Sequence, residues 1–170
     1  MVSCTGKEDS EAPESEVSGM IEDENLEENR GMEGEAPMME DDSTGDMEWY
    51  KATLSGSNEV PPVNTEATGT FSIALEGDSI HVKGEFSGLS SDYQASHIHK
   101  GGINSNGGPI LTLNPAIEPD KRSGSLNASY ELQPEDIAAL RSDSLYINVH
   151  SSDHKPGEIR GQLTPSNEEM

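Results

Sequence analysis

Apolar and polar positions alternate along the middle and end of the chain in short runs. Each run stops at glycine, proline, asparagine, aspartate or serine. Residues 69–75 place Phe71, Ile73 and Leu75 on one side, the period of two expected of a half-buried strand. Glu76-Gly77-Asp78-Ser79 carries hairpin-turn chemistry. Residues 80–86 return with Ile80, Val82 and Phe86 inward and His81, Lys83 and Glu85 outward, so His81 reads as a surface residue. Residues 49–54 predict a first strand, broken at Ser55-Gly56-Ser57-Asn58-Glu59. Val60-Pro61-Pro62-Val63 is extended, because proline restricts itself and the residue before it.

Beyond a loop at 88–92, residues 95–99 read as a strand with Ile98 inward. Residues 100–108, rich in glycine and asparagine, read as a loop. Strands follow at 109–113 and 124–132, the latter with Leu126, Ala128, Tyr130 and Leu132 on one face. Residues 133–140 are the one helix signal: proline and two acidic residues in the first turn, apolar residues after. Residues 145–150 and 158–163 close the series, joined by a loop containing Pro156-Gly157. About seven or eight short strands with frequent turns predict an all-β sandwich or barrel. A stretch of about 115 residues suffices for one two-layer core.

Composition divides the chain unevenly. Up to Glu48, seventeen residues are Asp or Glu, set against Lys7 and Arg30 alone. Apolar residues there show no sustained period, so the segment cannot bury enough surface to offset the entropy of ordering. The expected organisation is a disordered acidic tether over 1–47, a β domain over 48–164 and a disordered tail over 165–170. The formal net charge of -23 repels phosphate backbones and excludes nucleic acid as a partner. Cys4 is the single cysteine, so no intrachain disulfide forms. No apolar run approaches the roughly 20 residues of a membrane-spanning helix.

The start, Met1-Val2-Ser3-Cys4, resembles the end of a bacterial lipoprotein signal, in which the cysteine takes the lipid. The roughly 7–15-residue apolar core that precedes such a cysteine is missing; the expectation is that Met1 is internal and the true start lies upstream. Lys7-Glu8-Asp9 resembles an acidic sorting tag of surface lipoproteins. A self-repelling tether would then hold the domain away from an outer membrane to which only Cys4 attaches it. The alternative is a cytoplasmic protein that begins at Met1 and carries an incidental thiol.

Four of the five histidines lie in two runs, at His97 and His99 and at His150 and His154. Period two sets His97 and His99 on one face of a strand, opposite Ile98, and sets His150 opposite Val149. If the two strands are neighbours, His97, His99 and His150 converge, with His154 or Asp153 as a fourth donor. Three nitrogens and one more ligand suit zinc or copper. The competing expectation is a hydrogen-bonded polar cluster of His97, His99, Asn148, His150, Glu158 and Arg160 that fixes strand register without an ion. No phosphate-cradling glycine loop precedes a helix, and no serine sits in a nucleophile elbow, so no catalytic residue is assigned.

The ordered set Thr53-Leu54-Ser55-Gly56-Ser57-Asn58-Glu59-Val60-Pro61-Pro62, Gly69-Thr70, His97-Ile98-His99, Tyr146-Ile147-Asn148-Val149-His150 and Gly157-Glu158-Ile159-Arg160-Gly161-Gln162-Leu163 closely resembles the CHRD (chordin) domain over residues 50–163. The resemblance implies an immunoglobulin-like, Greek-key β-sandwich with limited similarity to the copper/zinc superoxide dismutase sandwich. It implies a bacterial module with no settled biochemical role, of a kind that is often exported or anchored; the leading expectation is a non-catalytic binding or adhesion module, with an unknown protein or small ligand as partner. The His-x-His pair and the later Val-His resemble copper ligands of the dismutase, yet a binuclear centre needs more histidines than remain, and its disulfide has no counterpart. A degenerate dismutase-like enzyme is therefore the least favoured expectation.

Overall fold

The computed structural model describes residues 47–168. Of the expected tether over residues 1–47, residues 1–46, with Cys4, lie outside the described residues. Among the described residues, ten strands form one continuous antiparallel sheet that curls on itself: β1 (Glu48–Ser55), β2 (Thr68–Glu76), β3 (Ser79–Ser87), β4 (Tyr93–Lys100), β5 (Pro109–Leu113), β6 (Ala116–Ile117), β7 (Gly124–Glu131), β8 (Leu145–Ser151), β9 (Ile159–Gln162) and β10 (Thr164–Pro165). The spatial order is β5-β4-β8-β9-β1-β2-β3-β7-β6, and β10 also pairs with β1. The all-β, sandwich-like fold class holds.

The join between the two halves is narrow. β1 runs fully paired along β2, from Glu48 opposite Leu75 to Ser55 opposite Thr68, but meets β9 at one register pair, Ser55 opposite Arg160. Past Leu163 the chain reaches the other end of β1, where Tyr50 faces Pro165 and Lys51 faces Thr164. The sheet thus bends about β1, and the halves β5-β4-β8-β9 and β2-β3-β7-β6 enclose one hydrophobic cluster. Ile98, Leu145, Ile147, Val149 and Ile159 enter it from one half, and Phe71, Ile73, Leu75, Ile80, Val82 and Phe86 from the other. The inward residues that periodicity selects in β2 and β3 are all buried there. Ala128 and Tyr130 of β7 pack against the cluster while staying partly exposed.

The hairpin at Glu76–Ser79 turns at Gly77, whose φ of 61 suits a residue without a Cβ. The helix α1 (Pro134–Arg141) carries proline in its first turn beside Glu135 and Asp136, and buries Ile137, Ala139 and Leu140. Arg141 at its end holds Glu48 at 2.5 Å, tying the start of β1 to the helix.

β6 and β10 are two-residue elements that no periodicity reveals. The residues after 164, expected to be disordered, continue the pairing: the Ser166 N–H donates to the Trp49 carbonyl at 2.8 Å, and Lys51 contacts Glu168 at 2.8 Å. Residues 169–170 lie outside the described residues.

Candidate metal centre

β8 is buried along all seven residues. Leu145, Ile147 and Val149 fill the core; Tyr146, Asn148 and His150 point the other way, onto the outer face. Register sets His99 opposite Tyr146, His97 opposite Asn148 and Ala95 opposite His150 on β4, while Asn148 faces Arg160 and Tyr146 faces Gln162 on β9. The outer face of this half is therefore a continuous polar row of His97, His99, Tyr146, Asn148, His150, Arg160 and Gln162. Unpaired polar groups there would be costly, because buried donors and acceptors need partners. Three loops supply them and cover the row.

Arg160 fixes the first loop. Its Nη1 donates to Asn106 Oδ1 at 3.0 Å, and its Nη2 to the carbonyls of Gly102 and Ser105 at 2.7 and 3.0 Å. Its guanidinium lies 3.5 Å from the centre of the Tyr146 ring, a cation–π contact. Asn106 in turn donates to the Val60 carbonyl at 2.6 Å, drawing in the loop that contains Glu59 and Pro61. The third loop, after β8, is held by Asn148, whose Nδ2 donates to the Pro156 carbonyl at 3.3 Å.

Three imidazoles gather within this enclosure. One nitrogen from each of His97, His99 and His150 lies within 4.8 Å of one from each of the others. His150 Nδ1 bonds the Lys155 carbonyl at 2.7 Å, and His99 Nδ1 the Gly107 carbonyl at 2.8 Å. A carbonyl only accepts, so both Nδ1 atoms carry the proton and both Nε2 atoms present a lone pair. His97 Nδ1 then donates to His150 Nε2, at 3.0 Å. His99 Nε2 is buried with no hydrogen-bond partner. Its ring stacks on Tyr146, centroids 5.0 Å apart, placing that tyrosine in contact with both His99 and Arg160.

Burial holds all three histidines below the ordinary imidazole range. For His97 the neighbouring His150 and His99 add to the effect. For His99 the Gly107 carbonyl opposes it, Arg160 adds to it and Asn148 opposes it. For His150 the Lys155 carbonyl opposes it and His99 adds to it. The trio is thereby kept neutral, the form that binds a metal. A tetrahedral zinc with nitrogens at about 2.05 Å has edges of roughly 3.3 Å. The present spacings need side-chain shifts on the order of an ångström to reach that.

His154 stands apart from the trio. It sits in the loop after β8, its N–H on the Ser151 carbonyl and its own carbonyl accepting from Gly157. It is not among the groups that meet within 4.8 Å, although it lines a cavity of about 330 Å³ that Glu59, His99, Asn148 and Asp153 also border. The expected joining of Glu158 to Arg160 in one cluster also fails. Glu158 is fully buried, but it accepts from Thr65 Oγ1 at 2.6 Å, from the Ser90 N–H and Oγ at 2.8 and 3.0 Å, and from Ser151 Oγ. Burial raises its pKa, yet the bonds from Ser151, Thr65 and Ser90 outweigh this and hold it below the usual carboxylate range. Glu158 precedes β9 and meets the segments before β2 and after β3, so the anticipated single polar cluster is two networks.

Periodicity offered no sign of Glu59. Its carboxyl is buried, with Oε1 unpartnered, and burial pushes it up to about 7 against the opposing pull of Arg160 and the Val60 N–H. It lies in a loop, where alternation carries no information. Tyr146 was equally hidden, since its place between His99 and Arg160 depends on cross-strand register.

No helix among the described residues is long and apolar enough to cross a membrane. Comparison with curated proteins finds no match. The family model of the CHRD domain matches residues 50–163, from the third residue of β1 to the end of the β9–β10 link. The CHRD family is not a known enzyme family. The match covers more than half of the chain, and the protein belongs to the CHRD-domain family.

Proposed function

We propose that this CHRD domain is a non-catalytic binding module that works outside the cytoplasm and holds one zinc or copper ion through His97, His99 and His150. The observation that carries this reading is the approach of three nitrogens to within 4.8 Å, inside a loop-covered face. Two further features support it. Backbone carbonyls fix the tautomers of His99 and His150, the arrangement that orients metal-binding imidazoles. All three rings are neutral at neutral pH, so binding needs no net loss of a proton, only that the His97 N–H give up its bond to His150 Nε2. The acidic segment after Cys4 fits a tether from a lipid anchor, with display at a cell surface. Mass spectrometry of the membrane fraction is expected to find Cys4 acylated; unmodified Cys4 would end the anchor reading.

The deciding experiment is zinc and copper titration of untagged protein against the His97→Ala/His99→Ala variant. Wild type is expected to take up one equivalent, and at metal a hundredfold above Kd to gain about 2.7 kcal/mol of stability. Equal binding by both proteins discards the reading. The 3.0 Å hydrogen bond between His97 and His150 favours a second one, a polar cluster that fixes the β4–β8 register without an ion. In that case the variant loses stability whether or not metal is present, and wild type gains none from it.

A further inference from the structure

The trio accounts for three ligands, and the sequence pointed to His154 or Asp153 for the fourth. Neither is among the groups that meet within 4.8 Å: Asp153 is exposed and His154 half-buried on the loop after β8, at the border of the cavity that His99 and Asn148 also line. Asn148 stands where neither of them does. It is directly opposite His97 in the β4–β8 register and two residues before His150 on the same face of β8. Its amide is 2 % exposed and approaches His99, but forms no hydrogen bond of acceptable geometry with it.

The orientation of that amide is fixed by its other end. Nδ2 donates to the Pro156 carbonyl, which leaves Oδ1 as the free end; Oδ1 is buried and unpartnered. His99 Nε2 is in the same condition. Its Nδ1 proton is committed to Gly107, so it is an acceptor too. Two adjacent buried acceptors with no donor between them are an unfavourable pair. Each lacks a partner of positive character, and each is closed off from water. A metal ion resolves both at once, since lone pairs are what it binds.

Resting on the metal reading above, we propose that Asn148 Oδ1 is the fourth ligand. The centre is then a closed set of three nitrogens and one oxygen, with no coordination position left for a substrate. Four protein ligands without an open site mark a structural metal, whereas catalytic zinc keeps one position for water. The ion would clamp β4 to β8, and through Pro156 and Lys155 it would also clamp the loop after β8. A role in holding the covered face together agrees with a binding module and sets the domain apart from metal hydrolases and oxidases.

Cobalt(II) substitution tests this, because the intensity of its visible bands reports coordination number. Wild type is expected to give the strong bands of a four-coordinate ion and no change on adding azide, which enters only an open position. Asn148→Ala is expected to weaken binding by at least about tenfold, lower the band intensity and make the spectrum respond to azide. Asn148→Asp, which keeps an oxygen at the same place, is expected to restore the closed spectrum. It also serves if the alanine variant does not fold. Failure of wild type to bind cobalt or zinc overturns the metal reading itself. An azide-sensitive wild-type spectrum, or an Asn148→Ala spectrum and affinity equal to wild type, overturns this inference and leaves the three-histidine site standing.

Discussion

The two halves of the curled sheet use the same strand geometry to opposite ends. In β3 burial alternates along the strand: Ile80, Val82 and Phe86 are buried, and Lys83 and Glu85 are exposed. β7 follows the same rule, with Leu126 buried and Ser125 and Asn127 exposed. One face meets the core and the other meets water, as in an antiparallel sheet covered on one side. In β8 both faces are buried, and the outer one carries tyrosine, asparagine and histidine. The difference lies in the loops: the β4-β8-β9 half carries segments folded back over its outer surface. Covering a polar face forces each group on it to find a partner. Partners run out at Glu59 Oε1 and Gln162 Oε1 and, side by side at the trio, at His99 Nε2 and Asn148 Oδ1.

The largest effect that would break this comparison is at Arg160. Arg160→Ala removes three hydrogen bonds to residues 102–106 and the contact with Tyr146. The expected loss is about 3 kcal/mol in denaturant unfolding, with amide exchange accelerated in residues 101–107 before elsewhere. A loss below about 1 kcal/mol would mean that the loop covers the face without help from the row beneath it.

Glu59 gives an intermediate effect with a defined sign. Its folded-state pKa is raised from 4.5 to about 7, so the stability it contributes is fully present below 4.5 and is lost as pH rises through about 7. Glu59→Gln keeps the neutral shape, so the variant is expected to be more stable than wild type above that range by about 2 kcal/mol, the two converging in acid. The histidines act in the opposite sense. Held below 6.5, they contribute stability above that value and lose it as pH falls through their folded pKa values. Thermal unfolding across pH in wild type and Glu59→Gln separates the two contributions; a constant offset between the proteins would deny that Glu59 is protonated in the folded state.

The smallest effect sharpens the contrast from the other side. Lys83 projects from β3 at a position equivalent to an outer-row residue, but into water. Lys83→Ala is expected to change stability by less than about 0.5 kcal/mol. A larger loss in chemical denaturation would show that the alternating half also depends on its outer face.

Much of this was legible in the chain. The period of two in residues 69–75 and 80–86 placed the hairpin and its buried residues, because each of those strands has one wet face and the alternation is written directly in side-chain polarity. The helix was legible from Pro134, Glu135 and Asp136. Strand parity put His97 and His99 on one face and His150 opposite Val149; that the three meet depended on β4 and β8 being neighbours. The two-residue strands β6 and β10 were not legible, since two residues carry no period. Nor was the separation of Glu158 from Arg160: parity put them on one face, but the partners of Glu158 come from Thr65, Ser90 and Ser151, which only the fold brings to it.

By itself the sequence determined where the longer strands run, which side of each strand their residues occupy and where the turns between them fall, because these follow from local sterics and from alternation over a few residues. Tertiary structure alone decided that β4 and β8 are neighbours, that loops 101–108 and 152–157 seal the histidine face, and that Asn148 rather than His154 stands beside the trio. Those outcomes depend on register between strands about fifty residues apart and on loops with no period of their own. The energy that selects them is the pairing of buried polar groups across the folded sheet, a quantity that does not exist until the chain has closed.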